Sequence, residues 1–80
     1  MRLSDLAAKQ KHYKDLLQFV NESVHDNKEK SSFLEALNQY KEALLKCWET
    51  KCSSAEVISK IQALERVLNQ LHNDARLVAG

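Results

Sequence analysis

Proline is absent from this chain, and its single glycine is the last of its 80 residues. Tight β-hairpin turns favour glycine because glycine adopts positive φ at little steric cost. A phosphate-binding loop also depends on glycines, where the backbone approaches the ligand closely. These two absences argue against a fold built from several β-hairpins and against a glycine-loop nucleotide site.

Apolar residues recur in alternating steps of three and four along three segments of the chain. This spacing puts them on one side of a helix, whereas the residues of a strand face alternate sides. All three stripes keep a near-heptad repeat, which favours neighbouring helices that cross at about 20°. The stripes consist of Leu3, Leu6, Tyr13, Leu17, Val20 and Val24; of Phe33, Leu37, Tyr40, Leu44 and Cys47; and of Val57, Ile61, Leu64, Leu68, Leu71, Ala75 and Val78.

Potential capping residues mark where each helix starts. Ser4 is placed to cap the first helix. Ser32 with Glu35, and Ser53 with Glu56, each form an S-x-x-E capping box directly before an apolar stripe. The predicted helices span about residues 5–25, 33–50 and 54–77, with bounds set to within about two to four residues.

The connections between these helices are short, which favours antiparallel neighbours. The charged stretch 26–31 has no stripe residue and is expected to be a solvated loop. Eighty residues make at most one domain, so we expect a single helical domain over residues 1–80. The predicted fold class is all-α: an antiparallel three-helix bundle, or a helical hairpin of the last two helices with the first docked as a third. The pattern leaves open whether the first helix packs on its own chain.

The core is expected where the second and third helices meet. Its most buried residues should be Val57, Ile61, Leu64, Leu68 and Leu71, facing Leu37, Tyr40, Leu44 and Cys47. The first helix should contribute Leu6, Tyr13, Leu17 and Val20. Gln10 interrupts this last stripe, and an unpaired amide would be costly to bury there.

Charge and cysteine content limit the partners and the compartment. Twelve Lys and Arg residues face eleven Asp and Glu residues, and the formal net charge of +1 argues against a polyanion binder. No apolar run approaches the roughly 18 residues of a membrane span, and residues 1–10 lack the apolar core of a signal peptide. Two cysteines are too few for a disulfide scaffold, so we expect thiols and a cytoplasmic location.

Several large apolar residues lie off the three stripes. One interpretation is that the central helix touches two neighbours and needs a wide apolar face. The other is that the surplus residues form an exposed patch that binds a partner. The predicted partner-binding residues are Leu16, Phe19, Leu34, Leu45, Trp48 and Ile58.

No set of residues in the sequence supports catalysis or cofactor binding. His12, His25, Cys47 and Cys52 invite a metal site, but no spacing among them completes a tetrahedral set of ligands. A catalytic cysteine would need a histidine base and an electropositive pocket. We therefore expect no metal, no cofactor and no enzymatic activity.

The segment 33–44 resembles the aromatic-x-E-A-L-x-x-Y-x-x-A-L helix of MIT domains and TPR units. It carries Phe33, the run Glu35-Ala36-Leu37, Tyr40 and Ala43-Leu44 at the matching positions. Those families bind helices or extended peptides, and the resemblance implies a ligand of that kind. The predicted first helix is longer than in MIT domains, and no period of about 34 residues accompanies the segment as in TPR units. In size and helical hairpin character the chain is also similar to the small co-chaperones of bacterial type III secretion systems.

We interpret the chain as a non-enzymatic helical protein–protein interaction module. As a small chaperone or adaptor it would hold a partner helix against its surplus apolar surface, with anchors at i, i+3 and i+4. One alternative is a structural unit that self-associates as a coiled coil. A second is a weak nucleic-acid binder through the cluster Lys9, Lys11 and Lys14, to which the near-neutral net charge is poorly suited.

Overall fold

Three α-helices make up nearly all of the structure. The computed structural model describes residues 2–79, and the side chains of residues 2–77. The helices are α1 (Leu3–Ser23), α2 (Asn27–Glu49) and α3 (Ala55–Ala79). α2 is central, because it packs against α1 on one side and against α3 on the other. The all-α three-helix bundle is confirmed, and the first helix packs on its own chain.

The start of α2 differs from the prediction by six residues. Asp26 is the N-cap, and its carboxylate accepts a hydrogen bond from the backbone N–H of Lys28 at 3.2 Å. Most of the charged stretch 26–31 is therefore helix, not loop, and residues 24–26 alone connect α1 to α2. Ser32 and Glu35 lie inside α2 and form no capping box. The stretch lacks a stripe because this first turn extends beyond the core, where Phe33 is the first buried residue of α2.

The other two helix starts also differ from the predicted caps. α1 begins at Leu3, and the carboxylate of Asp5 accepts from the backbone N–H of Arg2 at 3.3 Å, so Ser4 is not the cap. At α3 the cap is Ser54, whose hydroxyl oxygen accepts from the backbone N–H of Val57 at 3.4 Å. Ser53 instead donates its hydroxyl to the carbonyl oxygen of Thr50 at 2.6 Å, which takes it out of the predicted capping box.

A Schellman motif ends α2 without a glycine. The N–H of Cys52 donates to the carbonyl oxygen of Cys47 at 2.7 Å, and the N–H of Lys51 donates to that of Trp48 at 3.1 Å. Lys51 and Cys52 take the left-handed conformation, with φ of 55° and 59°. Glycine usually fills this position because it has no Cβ to clash. The sharp turn from α2 to α3 therefore holds two residues that carry a Cβ in a sterically unfavourable conformation.

One apolar core runs through the bundle. Of the predicted set, seven residues are buried, while Val57 and Leu71 are only partly buried at its edge. The buried members are Leu37, Tyr40, Leu44, Cys47, Ile61, Leu64 and Leu68. Among the described residues, no helix has both the length and the apolar character needed to cross a bilayer.

The buried face of α1 is rotated from the predicted stripe. Leu6, Leu16 and Val20 are buried, whereas Tyr13 and Leu17 are only partly buried and Gln10 is exposed. The cause is that α1 also faces α3: the ammonium of Lys9 lies 2.6 Å from the carboxylate of Glu65. Leu16 follows Lys9 by two turns on the same side of α1. Leu16, predicted to bind a partner, is therefore a core residue.

Candidate partner-binding groove

Two hollows lie between α1 and α2. One joins the start of α1 to the end of α2 through Leu3 and Trp48. The other joins residues 10–14 of α1 to residues 41–45 of α2. The two helices are therefore antiparallel where they pack. We call these two hollows together the α1–α2 groove, and its lining residues are Leu3, Gln10, Tyr13, Lys14, Lys41, Leu44, Leu45, Trp48, Glu49 and Lys51.

Large apolar side chains in this groove are open to solvent. Leu3 is 52% exposed, Leu45 is 48% exposed and Trp48 is 58% exposed. Leu45 and Trp48 are neighbours on α2, since residues three apart lie on the same side of a helix. Exposed apolar side chains are ordinary when scattered, but a contiguous row marks an interaction surface.

The apolar row is interrupted toward the other end of the bundle. Leu34 lies on the same side of α2 as Leu45 and Trp48, but the exposed polar residues Asn38 and Lys41 lie between them. On α1, Tyr13 and Leu17 lie on the corresponding side. All of these apolar residues except Leu45 and Trp48 are partly buried against the core. The exposed apolar side chains therefore lie toward the Trp48 end, and Leu34 lies outside the residues that line the α1–α2 groove.

The charges that line the α1–α2 groove are mostly positive. Lys14, Lys41 and Lys51 contribute ammonium groups, and Glu49 contributes a carboxylate. The whole chain carries a net charge of only +1, so this face is more basic than the average surface. A ligand with acidic groups beside its apolar row would match this pattern.

Phe19 was predicted to face a partner, but it packs within the bundle. Its ring lies edge-on to His72 of α3, with ring centroids 4.6 Å apart, and it also lies 6.4 Å from the ring of Phe33. The contact helps to hold α1 against both other helices. Burial lowers the pKa of His72, and the positive charges of Arg76 and His12 lower it further. His72 is therefore favoured in its neutral form beside the Phe19 ring.

Ile58 lies in a different groove from the other predicted residues. This α1–α3 groove is lined by Asp5, Ala8, Lys9, His12, Ile58, Gln62 and Glu65. Five of these seven side chains are polar, and the Lys9–Glu65 ion pair crosses the groove. The ion pair also engages Lys9 of the predicted basic cluster with the carboxylate of Glu65. Of the predicted residues, Leu45 and Trp48 line the α1–α2 groove, and Leu34 lies farther along the same side of α2. Leu16, Phe19 and Ile58 lie elsewhere.

Two groove residues, Leu3 and Tyr13, belong to the first apolar stripe, and Tyr13 was predicted to be in the core. Leu3 is the first residue of α1, so it lies beyond the last core layer. Tyr13 is partly buried because the rotation of α1 turns it toward the edge of the core. The sequence indicated this partial exposure through Gln10, a polar residue on the same side of α1 as Tyr13.

The described side chains contain no group of three or more His, Cys, Asp or Glu residues placed to hold a metal ion. Comparison with protein-family models, with curated protein sequences and with solved structures finds no match to this chain.

Proposed function

We propose that this protein is a non-enzymatic interaction module that holds an amphipathic helix of a partner protein in the α1–α2 groove. The observation that carries this proposal is the row of half-exposed Leu3, Leu45 and Trp48 along one groove. Helix-in-groove recognition uses apolar anchors spaced at i, i+3, i+4 and i+7 on the ligand. The proposed anchoring residues in the groove are Leu45 and Trp48, joined by Leu3 and Tyr13, with Leu34 farther along the same side of α2.

The shape of the groove favours a helix over an extended peptide. α1 and α2 lie antiparallel, and α3 already packs against α2 on another side. A further helix beside α1 and α2 would give the arrangement of a four-helix bundle, in which facing apolar rows interdigitate. An extended peptide would instead need an exposed sheet edge for backbone pairing, and the described residues contain no strand.

The positive charge of the groove favours partner helices with acidic flanks over helices with basic flanks. Lys14, Lys41 and Lys51 would face the flanks of a helix lying in the groove. Acidic residues on those flanks would be attracted, and basic ones would be repelled. A small cytoplasmic chaperone or adaptor for an acidic amphipathic helix is the role that follows.

Trp48 supplies a direct experiment because it is the only tryptophan of the chain and lies in the groove. The probe is a synthetic, tryptophan-free amphipathic peptide with leucines at helical spacing and glutamates on both flanks. We expect its addition to shift the fluorescence of Trp48 to the blue, since the peptide removes the indole from water. A peptide with the same leucines and lysine flanks should bind at least about tenfold more weakly.

A matched pair of variants tests whether Leu45 takes part in the binding. Leu45 and Val67 are equally exposed, at 48%, but Val67 lies on α3 and lines neither end of the α1–α2 groove. Leu45→Asp should weaken peptide binding by at least about tenfold, as expected for a central anchor. Val67→Asp should leave binding unchanged. Equal effects of the two variants, or no difference between the two peptides, would contradict the proposal.

Self-association through the same groove is the rival outcome. Light scattering of the protein alone distinguishes the two, because a helix-binding module is monomeric when its partner is absent. A concentration-dependent dimer that Leu45→Asp dissociates would replace the proposed function with a structural oligomerisation unit.

A further inference from the structure

Two buried thiols meet where α2 turns into α3. The sulfur of Cys47 lies 2.7 Å from the sulfur of Cys52, and the two thiols share a hydrogen bond. Both side chains are buried, with Cys47 fully enclosed and Cys52 slightly exposed. Neither residue lines the α1–α2 groove, so the proposed function does not account for their pairing.

We propose that Cys47 and Cys52 form a redox-active dithiol, which a low-molecular-weight disulfide such as oxidised glutathione converts to an intramolecular disulfide. The inference does not rest on the proposed function, because it concerns the turn and not the groove. Disulfides in reducing compartments are mostly transient or redox-sensing. A reversible dithiol is therefore compatible with the expected cytoplasmic location.

The Schellman motif is what brings the two sulfurs together. Its two hydrogen bonds fold the backbone of residues 47–52 back on itself, so that the residues at its two ends share a contact. In the folded chain this short loop is already closed, so forming the disulfide costs little further conformational entropy. The second thiol is thus held at a high effective concentration beside the first.

The different environments of the two thiols determine which of them reacts first with the oxidant. Burial raises the pKa of the Cys47 thiol to about 11, and its hydrogen bond with Cys52 adds to the shift. Cys47 therefore stays protonated in the resting state. Cys52 lies in the turn and reaches solvent, which makes it the thiol that meets the oxidant first.

The oxidation proceeds in two exchange steps. The Cys52 thiol loses its proton, and its sulfur attacks one sulfur of oxidised glutathione. A mixed disulfide forms between Cys52 and one glutathione. The other glutathione leaves, takes up a proton and becomes a thiol. The Cys47 sulfur, after losing its own proton, then attacks the Cys52 sulfur and displaces the second glutathione. The chain loses two protons and two electrons, and one glutathione disulfide takes them up to become two glutathione thiols.

Equilibration in buffers of reduced and oxidised glutathione tests the proposal. After acid quenching and alkylation of remaining thiols, intact-mass measurement separates the dithiol, the glutathione adduct and the intramolecular disulfide. We expect the intramolecular disulfide to be the main oxidised product. Its formation constant against glutathione should be at least about tenfold larger for the folded chain than for the chain in concentrated urea.

The comparison with urea identifies the folded turn as the cause. Cys47→Ser and Cys52→Ser serve as mass standards, since each can form an adduct but no intramolecular disulfide. An equal or smaller constant in the folded chain would overturn the proposal. So would a folded chain that yields mainly glutathione adducts, disulfide-linked dimers or unreacted thiols under the same oxidant.

Discussion

Tyr40 is the largest of the fully buried side chains, and it was correctly placed in the core from its position in the second stripe. Its hydroxyl, however, finds no hydrogen-bond partner among the described residues. Burial raises the pKa of Tyr40 far above its ordinary value, and the nearby carboxylate of Glu65 raises it further. The buried phenol is therefore favoured in its neutral form.

Removing that hydroxyl should not harm the protein. A buried polar group without a partner costs about 1–3 kcal/mol. We expect Tyr40→Phe to leave the free energy of unfolding unchanged or to raise it by about 1 kcal/mol, measured by urea denaturation. Tyr13→Phe is the control, because Tyr13 is only partly buried. A loss of more than about 1 kcal/mol in Tyr40→Phe would mean that the hydroxyl is hydrogen-bonded.

The Phe19–His72 contact predicts a pH dependence of stability. Because burial lowers the pKa of His72 in the folded state, the unfolded chain binds a proton more readily. The stabilisation is present above the unfolded-state pKa of about 6.5 and is lost as the pH falls below it. Unfolding free energies at about pH 7.5 and about pH 5.5 should therefore differ less in His72→Gln than in the natural chain.

A matched histidine makes this comparison specific. His25 lies exposed in the connection between α1 and α2. His25→Gln should keep the pH dependence of the natural chain. If His72→Gln and His25→Gln changed it equally, the Phe19–His72 contact would not be its origin.

At the scale of the elements, the number and type of helices were predictable, but their starts were not. The apolar repeat depends only on side-chain spacing, which the sequence displays directly. A cap depends on which of several neighbouring polar residues reaches the backbone. Around α2 the sequence offers both Asp26 and Ser32, and the helix begins at the earlier one.

The two potential caps of α2 provide a direct mutational comparison. Asp26→Ala removes the carboxylate that accepts from Lys28, and it should cost about 1 kcal/mol of unfolding free energy. Ser32→Ala changes an exposed position inside the helix and should be neutral or slightly stabilising, because alanine has the higher helix propensity. Urea denaturation measures both. The reverse order of effects would show that α2 begins near Ser32.

At the scale of the whole molecule, the residues of the candidate groove could be predicted only in part. The surplus apolar residues of α2 were recognisable, and Leu45 and Trp48 are exposed in the groove. Leu16 and Phe19 were misplaced because the orientation of α1 depends on contacts with α3 that lie more than fifty residues away in sequence, such as Lys9 with Glu65. The rotation that buries Leu16 is the same one that brings Tyr13 toward the groove.

We propose that the partner helix binds between α1 and α2, and not between α1 and α3. Amide chemical-shift mapping by NMR during titration with the glutamate-flanked peptide tests this most directly. The largest shifts should fall at Leu3, Tyr13, Lys41, Leu45 and Trp48, which line the α1–α2 groove. Shifts concentrated instead at Ile58, Gln62 and Glu65, in the α1–α3 groove, would contradict the account.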